Sequence, residues 1–291
     1  MVLAVRYGHQ RQSPDQYGRG QGMQGRDMTQ SATGGGAVLV DYDGNIATIT
    51  NNKPEKRNAF DDDMDQELFA ALADLRQRDD IRAVIWRAEG RDFSTGRDVS
   101  SIGTTVGISH HELMKRGHRG ILQLFDLEVP VIVAIQGWAI GGSFQRALLC
   151  DIRVAAEGAR FMLPELNHGV IPDTGGVGVL YEMCGHGVVS DMVLTGRTVS
   201  ADEALALGIV SRVVPAEELD DTVKEMAVNI ASKPRVSVNM ARRVIRHLSE
   251  PQIRTSMADE LIGQTFINKS DDYAEFRAAR SEDRKPDYSG S

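Results

Sequence analysis

Two short stretches decide the fold of this chain: Phe93-Ser-Thr-Gly-Arg-Asp98 and Trp138-Ala-Ile-Gly-Gly-Ser-Phe144. Each follows an apolar run rich in β-branched residues, the first at 83–86 and the second at 129–135. Such runs predict buried strands, and a glycine at a strand end lets a backbone N–H face a ligand without an intervening side chain. Two N–H groups of this kind, one of them at the start of a helix, can hold a negatively charged oxygen. The pattern therefore predicts an oxyanion hole and, with it, acyl chemistry.

The composition limits the size of the fold and the class of partner. The chain has 291 residues, 41% of them hydrophobic, which suffices for a substantial core in one large domain or two small ones. A net charge of -8 argues against nucleic acid or an anionic membrane as the main partner, and no apolar run approaches the roughly 18 residues of a membrane span. The only two cysteines, Cys150 and Cys184, lie in apolar surroundings, which predicts buried free thiols and a cytoplasmic location.

The first two-thirds of the chain alternates between strand and helix patterns. Residues 1–36 are rich in Gly, Gln and Arg and are predicted to be disordered, before a folded core over 37–199. The Asp43-Gly44 pair predicts a hairpin between the first two strands. Further strands are predicted at 83–86, 131–135 and 152–155, and helices at 61–76, 111–127 and 143–150. Alternation of this kind favours an α/β fold with parallel strand pairing.

The last third reads as helical. Four apolar-periodic segments follow one another with little strand between them, at 201–207, 216–232, 234–248 and 253–267. Residues 200–291 are therefore predicted to form a helical C-terminal region.

Taken in register, several motifs resemble the crotonase superfamily, the enoyl-CoA hydratase/isomerase family. They are Asn52-Lys-Pro-Glu-Lys-Arg-Asn-Ala59, the two glycine stretches, Pro164-Glu165, Ile171-Pro-Asp-Thr-Gly-Gly176 and the segments at 194–211 and 271–286. The resemblance extends from about residue 37 to the end of the chain. It implies a crotonase-like spiral of ββα turns, a helical trimerisation region, and a homotrimer or a hexamer built as a dimer of trimers. It also implies an acyl-CoA thioester substrate and no metal or redox cofactor.

The family pattern assigns the oxyanion donors. They are the N–H of the residue after the first-stretch glycine and the N–H of the second glycine of the later stretch. In this chain Gly96 precedes the first donor, Arg97, and the second donor is Gly142. Gly142 is predicted to open a helix, whose dipole would add to the N–H contact.

The CoA site implied by the resemblance lies around the Asn-Ala pair. Family members bind the adenine with backbone groups that correspond here to Arg57, Asn58 and Ala59, with Asp98 nearby. Lys53, Lys56 and Arg57 form a local basic cluster, which suits the phosphates of CoA although the chain as a whole is acidic. Without the other motifs, this stretch would be interpreted as an ordinary solvated loop. The Gly/Thr/Ser-rich stretch at 101–109 is predicted to form the pocket wall.

Two positions depart from the usual hydratase pattern. Hydratases of the family have a pair of glutamates, and the position of one of them, three residues after the oxyanion glycine, is Gln145. An amide does not exchange protons usefully, so two-glutamate water addition is in doubt. The other glutamate is present as Glu165, and Asp173 follows eight residues later. This Glu and Asp pair resembles the dienoyl-CoA isomerases, and the Ile-Pro-Asp stretch is also similar to ring-epoxide isomerases of the family.

The favoured hypothesis is an enoyl- or dienoyl-CoA isomerase with Glu165 and Asp173 as proton-transfer groups. One alternative is a hydratase that works mainly through Glu165 while Gln145 positions water, and another is a non-catalytic crotonase-like protein that binds acyl-CoA. His118 resembles a histidine of aryl-CoA dehalogenases, which also have an aspartate at the position of Asp173. The favoured interpretation of His118 is nevertheless a surface or cap residue of the helix at 111–127.

Overall fold

A computed structural model describes residues 35–98 and 109–291 of the chain. The predicted disordered segment at 1–36 lies outside the described residues except for its last two positions. The predicted pocket wall at 101–109 also lies outside them, apart from Ser109.

A six-stranded sheet forms the centre of the fold. Its order is β1-β2-β3-β4-β6-β9, where the strands are Val38–Asp43, Ile46–Asn51, Ala83–Ala88, Val131–Ile135, Ile152–Ala156 and Arg212–Val214. The first pair is antiparallel and closes as the predicted hairpin, through a turn at Gly44 and Asn45 in which Gly44 has a φ of 60°. The other pairs are parallel, as the alternating pattern predicted.

A smaller sheet lies beside the ends of the central strands. It contains β5 (Trp138–Ile140), β7 (Arg160–Met162) and β8 (Val199–Ser200), in the order β5-β7-β8. Ser94, just beyond β3, pairs with Ala139 of β5 in an isolated parallel bridge. This bridge brings the two glycine stretches side by side.

Eight α-helices surround the sheets within the described ranges. They are α1 (Asp62–Leu75), α2 (His110–Asp126), α3 (Gly142–Leu148), α4 (Gly176–Thr195), α5 (Ala201–Ala206), α6 (Leu219–Ala231), α7 (Arg235–Ile267) and α8 (Asp271–Ser281). Gly185 interrupts α4 with non-helical φ and ψ angles of 74° and 172°, so α4 is two helical segments joined at a kink. None of the helices in the described part of the chain is long and apolar enough to cross a membrane.

The prediction of separate helices at 234–248 and 253–267 is wrong, because α7 runs through Pro251 without a break. A proline inside a helix removes one backbone hydrogen bond at a cost of about 3 kcal/mol. Ile253 and Met257 offset this cost by packing into the main core on the far side of the proline. The boundary predicted at 199/200 falls within β8, and β9 adds a further strand to the central sheet after it.

Apolar side chains cover both faces of the central sheet. The larger core includes residues of α1 to α5 and of the second half of α7, and the smaller core lies on the opposite face under α6. Both cysteines are unpaired, Cys150 buried and Cys184 partly buried. The mixed α/β architecture and the helical C-terminal region predicted from the sequence are confirmed.

The close approach of α3 and α4 generates the first prediction. A Cβ on Gly176 would lie 2.6 Å from the Cβ and 2.8 Å from the Cα of Gln145, so the backbones themselves leave no room for it. We expect Gly176→Ala to lower the free energy of unfolding by about 1–3 kcal/mol through overpacking. Gly187→Ala is the matched control on the same helix, because no described atom lies within 4 Å of its added Cβ.

We expect the control to stabilise the protein by up to about 1 kcal/mol through higher helix propensity. Urea denaturation at a fixed protein concentration measures both changes. Equal effects of the two substitutions would contradict the packing argument.

Candidate active site

Phe60 holds the first glycine stretch in place through two backbone hydrogen bonds. The N–H of Phe60 donates to the carbonyl of Gly96 (2.8 Å), and the N–H of Asp98 donates to the carbonyl of Phe60 (2.8 Å). In such a parallel bridge the residue between them, Arg97, turns its own N–H to the opposite side. Gly96 has a φ of 88°, and a Cβ there would lie 2.8 Å from the carbonyl oxygen of Ile140. Only glycine therefore fits where the two stretches meet.

The second glycine stretch ends at the start of α3. Gly141 precedes the helix with a φ of 56°, and Gly142 is its first residue, so the Gly142 N–H has no partner within the helix. Neither this amide nor that of Arg97 has a hydrogen-bond partner among residues 35–98 and 109–291. Both residues line one cavity. The arrangement is able to hold an oxyanion.

This cavity has a volume of about 420 Å³ and lies between the strand ends and the helices α1, α2, α7 and α8. Five predicted site residues line it: Gly96, Arg97, Gly142, Glu165 and Asp173. Six others lie outside its described lining: Lys56, Arg57, Asn58, Ala59, Asp98 and Gln145. The structure thus brings together the predicted oxyanion donors and the two predicted carboxylates.

Glu165 begins a short 3-10 helix (Glu165–His168) and is buried. Its Oε1 accepts a hydrogen bond from Nε2 of Gln145 (2.9 Å), while its Oε2 is buried without a partner in the described part of the chain. Burial raises the pKa of Glu165 from 4.5 to about 7, and the charge of Asp173 acts in the same direction. A carboxyl that titrates near neutrality is suited to both taking and giving a proton.

Gln145 lies behind Glu165 and is fully buried. Its Nε2 donates to Glu165, and its Oε1 accepts from the N–H of Thr174 (2.9 Å). The side chain therefore joins the segment that carries Glu165 to the loop that carries Asp173. This placement differs from the predicted contact with substrate or water, since the amide faces two protein groups.

Asp173 lies in the Asp173 loop (residues 171–175), between the 3-10 helix and α4. Its Oδ2 accepts a hydrogen bond from Nε2 of Gln264 (2.9 Å), and its main-chain carbonyl accepts one from Nε2 of His118 (2.6 Å). His118 is only 9% exposed. The interpretation of His118 as a surface or cap residue is therefore wrong, because α2 packs that side of its surface against the Asp173 loop.

One acidic and one amide side chain of α7 were not predicted from the sequence. Glu260 and Gln264 are buried one turn apart, on the helix face that also buries Ile253 and Met257. Burial raises the pKa of Glu260 to about 7, with Asp173 adding to the effect. The sequence does place both polar residues on an otherwise apolar helix face. A buried polar side chain requires a hydrogen-bond partner, so this placement indicates a contact with another segment. Both lie more than eighty residues beyond the Asp173 loop, so no local motif connects them.

The loop predicted to bind CoA is shaped by its own hydrogen bonds. Arg57 and Asn58 both have a φ of 54°, and Asn58 donates through Nδ2 to the carbonyls of Glu89 and Asp92, both at 2.8 Å. Arg57 pairs with Asp92 at 2.7 Å. Asn58 therefore fixes the loop with its side chain.

Lys56 of this loop is held less tightly than Arg57. Lys56 contacts Asp98 at 3.4 Å, and half of its side chain is exposed. An exposed lysine whose ion pair is this long is available to a phosphate at little cost.

With this geometry described, the comparison with known proteins decides the family. Residues 41–291 match the enoyl-CoA hydratase/isomerase family. The chain belongs to the enoyl-CoA hydratase/isomerase family. The resemblance to the crotonase superfamily inferred from the motifs is thereby confirmed.

Individual relatives of the family span nearly the same length. The short-chain-enoyl-CoA hydratase of Clostridium acetobutylicum is 32% identical over 251 residues, which cover 85% of this chain and 95% of that protein. The carnitinyl-CoA dehydratase of Salmonella paratyphi A is 34% identical over 252 residues, covering 85% and 96%. A crystal structure of an enoyl-CoA hydratase/isomerase from Pseudoalteromonas atlantica superimposes with a TM-score of 0.79 at 28% identity, covering 87% and 100%. The crotonase-like fold predicted from the sequence is confirmed.

The buried carboxyl of Glu165 makes the stability of this family member depend on pH. Its pKa is higher in the folded chain than the 4.5 of an exposed glutamate, so the folded state binds the proton more tightly. The stabilisation is complete below about pH 4.5 and is lost as the pH rises through about 7, up to about 3 kcal/mol in total. Glu165→Gln keeps an acceptor for Gln145 and removes the charge.

We therefore expect Glu165→Gln to lose less unfolding free energy than the unsubstituted chain between pH 5 and pH 8. Thermal denaturation at the two pH values measures the difference. Glu275→Gln is the control, because hydrogen bonds from Arg284 and the Asp287 N–H lower the pKa of that glutamate to about 2, below the measured range, and it lies outside the described cavity lining. An identical pH dependence for Glu165→Gln and the unsubstituted chain would show that Glu165 is ionised at little cost.

Proposed function

We propose that this protein isomerises a double bond of an enoyl- or dienoyl-CoA through an enolate. The observation that carries the proposal is the presence of Glu165 and Asp173 on the wall of one cavity, together with the Arg97 and Gly142 amides. Isomerisation requires one group that removes a proton beside the thioester carbonyl and another that returns a proton further along the acyl chain. Two carboxyl groups in separate environments supply these roles.

In the proposed mechanism the N–H groups of Arg97 and Gly142 hold the thioester oxygen. Glu165 takes the proton from the carbon next to the carbonyl, and the electron pair of the broken C–H bond moves onto that oxygen as an enolate. Asp173, which enters this step as the carboxylic acid, gives its proton to the distal carbon, so the electron pair returns from the oxygen, the carbonyl re-forms and the double bond is shifted. The turnover leaves Glu165 protonated and Asp173 ionised, and proton exchange with solvent restores both groups. Oxyanion donors of this kind contribute about 2.7–4 kcal/mol each in other enzymes.

A hydratase is the second candidate, and the names of two relatives favour it. Water addition would then depend mainly on Glu165, since Gln145 is enclosed between Glu165 and Thr174. A non-catalytic acyl-CoA binder is the third candidate. The placement of Glu165 on the same cavity wall as the Arg97 and Gly142 amides counts against it.

The proposal requires CoA only as part of the substrate. Each step is a proton transfer between a carboxyl group and carbon, so neither a metal nor a redox cofactor enters the chemistry. Lys56 and the backbone of residues 57–59, with Asp98 beside them, are proposed to receive the adenosine phosphate end of CoA. A cytoplasmic location is proposed on the basis of the two unpaired cysteines.

An ultraviolet assay with separate substrates tests the reaction. We expect 3,5-dienoyl-CoA to gain the absorbance of a conjugated 2,4-dienoyl-CoA, because a proton leaves the carbon beside the carbonyl and another reaches the distal carbon. Asp173→Asn and Glu165→Gln should each lower this rate by about 10²–10⁴-fold, the usual contribution of a general acid or base. Gln123→Leu, a substitution on α2 away from the carboxylates, should leave it unchanged.

Loss of the 2-enoyl-CoA chromophore without conversion of the dienoyl substrate would instead establish the hydratase. Binding of both thioesters without any spectral change would establish the non-catalytic binder.

We also propose that the chain assembles as a homotrimer or as a dimer of trimers. Support comes from an apolar stripe on α7 formed by Val236, Met240, Val244 and Leu248, each at least half exposed and spaced four residues apart. Leu248 alone leaves 74% of its surface uncovered. An apolar surface of this length on a helix is typical of a protein–protein contact.

Sedimentation velocity tests the assembly. We expect the unsubstituted chain to sediment as three or six copies and the double variant Val244→Asp, Leu248→Asp to sediment as a smaller species, since two charges cannot be buried unpaired. Val228→Asp on α6 is the control, because Val228 is half exposed and lies off the apolar stripe. A single-copy species for the unsubstituted chain would refute the proposal.

A further inference from the structure

We propose that Gln264 and Glu260 of α7 are positioning residues for the proton transfer by Asp173. Gln264 fixes the Asp173 carboxylate directly, and Glu260 fixes the backbone of the loop that carries it. The inference rests on the proposed function, since it requires that Asp173 transfers a proton.

The orientation of the Gln264 amide is the first observation. Gln264 is only 4% exposed, and its Nε2 donates to Oδ2 of Asp173 (2.9 Å) and to the carbonyl of Ile171 (3.2 Å). Its own Oε1 is buried and has no partner among the described residues. A buried carbonyl without a partner costs about 1–3 kcal/mol, so both N–H donors are committed to the Asp173 loop at the expense of the oxygen.

The contact of Glu260 with the loop is the second observation. Its Oε2 accepts from the N–H of Gly175 (2.8 Å), and its Oε1 accepts from the hydroxyl of Ser256 (2.6 Å). Gly175 has a φ of 79°, and a Cβ there would lie 2.9 Å from Cγ of Met257. The loop therefore packs directly against α7 at Met257, and the buried Glu260 places an acceptor at the Gly175 amide.

The position of Asp173 between two helices completes the argument. His118 of α2 donates to the Asp173 carbonyl from one side, and Gln264 of α7 donates to the carboxylate from the other. Together with the bond from the Thr174 N–H to Gln145, these contacts fix the loop at Ile171, Asp173, Thr174 and Gly175. The Thr174 hydroxyl contacts Oδ1 of the carboxylate at 3.4 Å, and the bond from Gln264 to Oδ2 is the shorter one at 2.9 Å. Its loss should therefore change proton delivery more than substrate binding.

The proposed reaction has two proton transfers, removal beside the carbonyl and delivery to the distal carbon. Measuring them separately distinguishes a positioning role from a merely structural one. In D2O, Glu165 exchanges the substrate proton next to the carbonyl whether or not Asp173 completes the isomerisation. For Gln264→Leu we expect isomerisation of 3,5-dienoyl-CoA to fall about 10–100-fold, while exchange beside the carbonyl and KM stay within about twofold. Gln264→Asn should act in the same direction, because the shorter side chain keeps the amide but brings it short of the carboxylate.

Gln123→Leu is the matched control. Gln123 is a half-buried glutamine that donates to a backbone carbonyl, that of Phe69 at 3.3 Å, and it lies on α2 away from the carboxylates. It should leave both exchange and isomerisation unchanged. Glu260→Leu, which removes the acceptor for the Gly175 amide and also a charge near Glu165, should lower isomerisation more than it changes exchange.

Two results would overturn the inference: isomerisation by Gln264→Asn at the unsubstituted rate, or an equal loss of exchange and isomerisation. The first would leave the proposed function intact if Asp173→Asn is inactive. The proposed function itself fails if Asp173→Asn isomerises normally. The two failures are therefore separable in one set of measurements.

Discussion

The site depends on the hydrogen bonds of a single buried serine. The N–H of Ser94 donates to the Trp138 carbonyl (2.9 Å), and its carbonyl accepts from Ile140 (3.1 Å), which sets the register between the two glycine stretches. Its hydroxyl donates to the Asn58 carbonyl (2.6 Å), so the contact at 2.7 Å with Ser143 is a bond in which Ser143 is the donor. Ser94, Asn58 and Ser143 are buried, where an unmade hydrogen bond costs about 1–3 kcal/mol. The spacing of the Arg97 and Gly142 amides therefore follows from the backbone of a sheet edge and not from mobile side chains.

The electrostatics of the site explain why an amide occupies position 145. Glu165, Asp173 and Glu260 already form a group of three neighbouring acids, and burial raises the pKa of each glutamate to about 7. A fourth carboxyl beside Glu165 would add like charge to a region that water hardly reaches. Gln145 instead donates to Glu165 and accepts from Thr174, so it orients the carboxyl group without adding charge. Gln264 does the same for Asp173. Amides and acids thus alternate through the site.

Local patterns in the sequence predicted the central strands, the hairpin, the glycine stretches and the two cavity carboxylates, because each is encoded within about ten residues. The errors concern contacts between distant segments. His118 and Asp173 are 55 residues apart, and Gln264 and Asp173 are 91 apart, so no spacing rule connects them. The segments at 234–248 and 253–267 were predicted as separate helices, whereas α7 is continuous across Pro251, where burial of Ile253 and Met257 outweighs the local preference against proline. The one overlooked signal was the placement of Glu260 and Gln264 on the face of α7 that is otherwise apolar.

Helix α7 connects the exposed apolar stripe to the Asp173 loop, although the sequence pattern predicts two separate helices over this range. Its 33 residues span about 50 Å at 1.5 Å per residue. The half before Pro251 presents the apolar stripe to solvent, and the half after it holds the Asp173 loop through Glu260 and Gln264. Because the helix is continuous, a partner that covers the stripe also constrains the direction of the second half. A displacement of about 1 Å at Gln264 would suffice to break a 2.9 Å hydrogen bond. The placement of the Asp173 carboxylate is therefore linked, through one continuous helix, to the exposed apolar stripe.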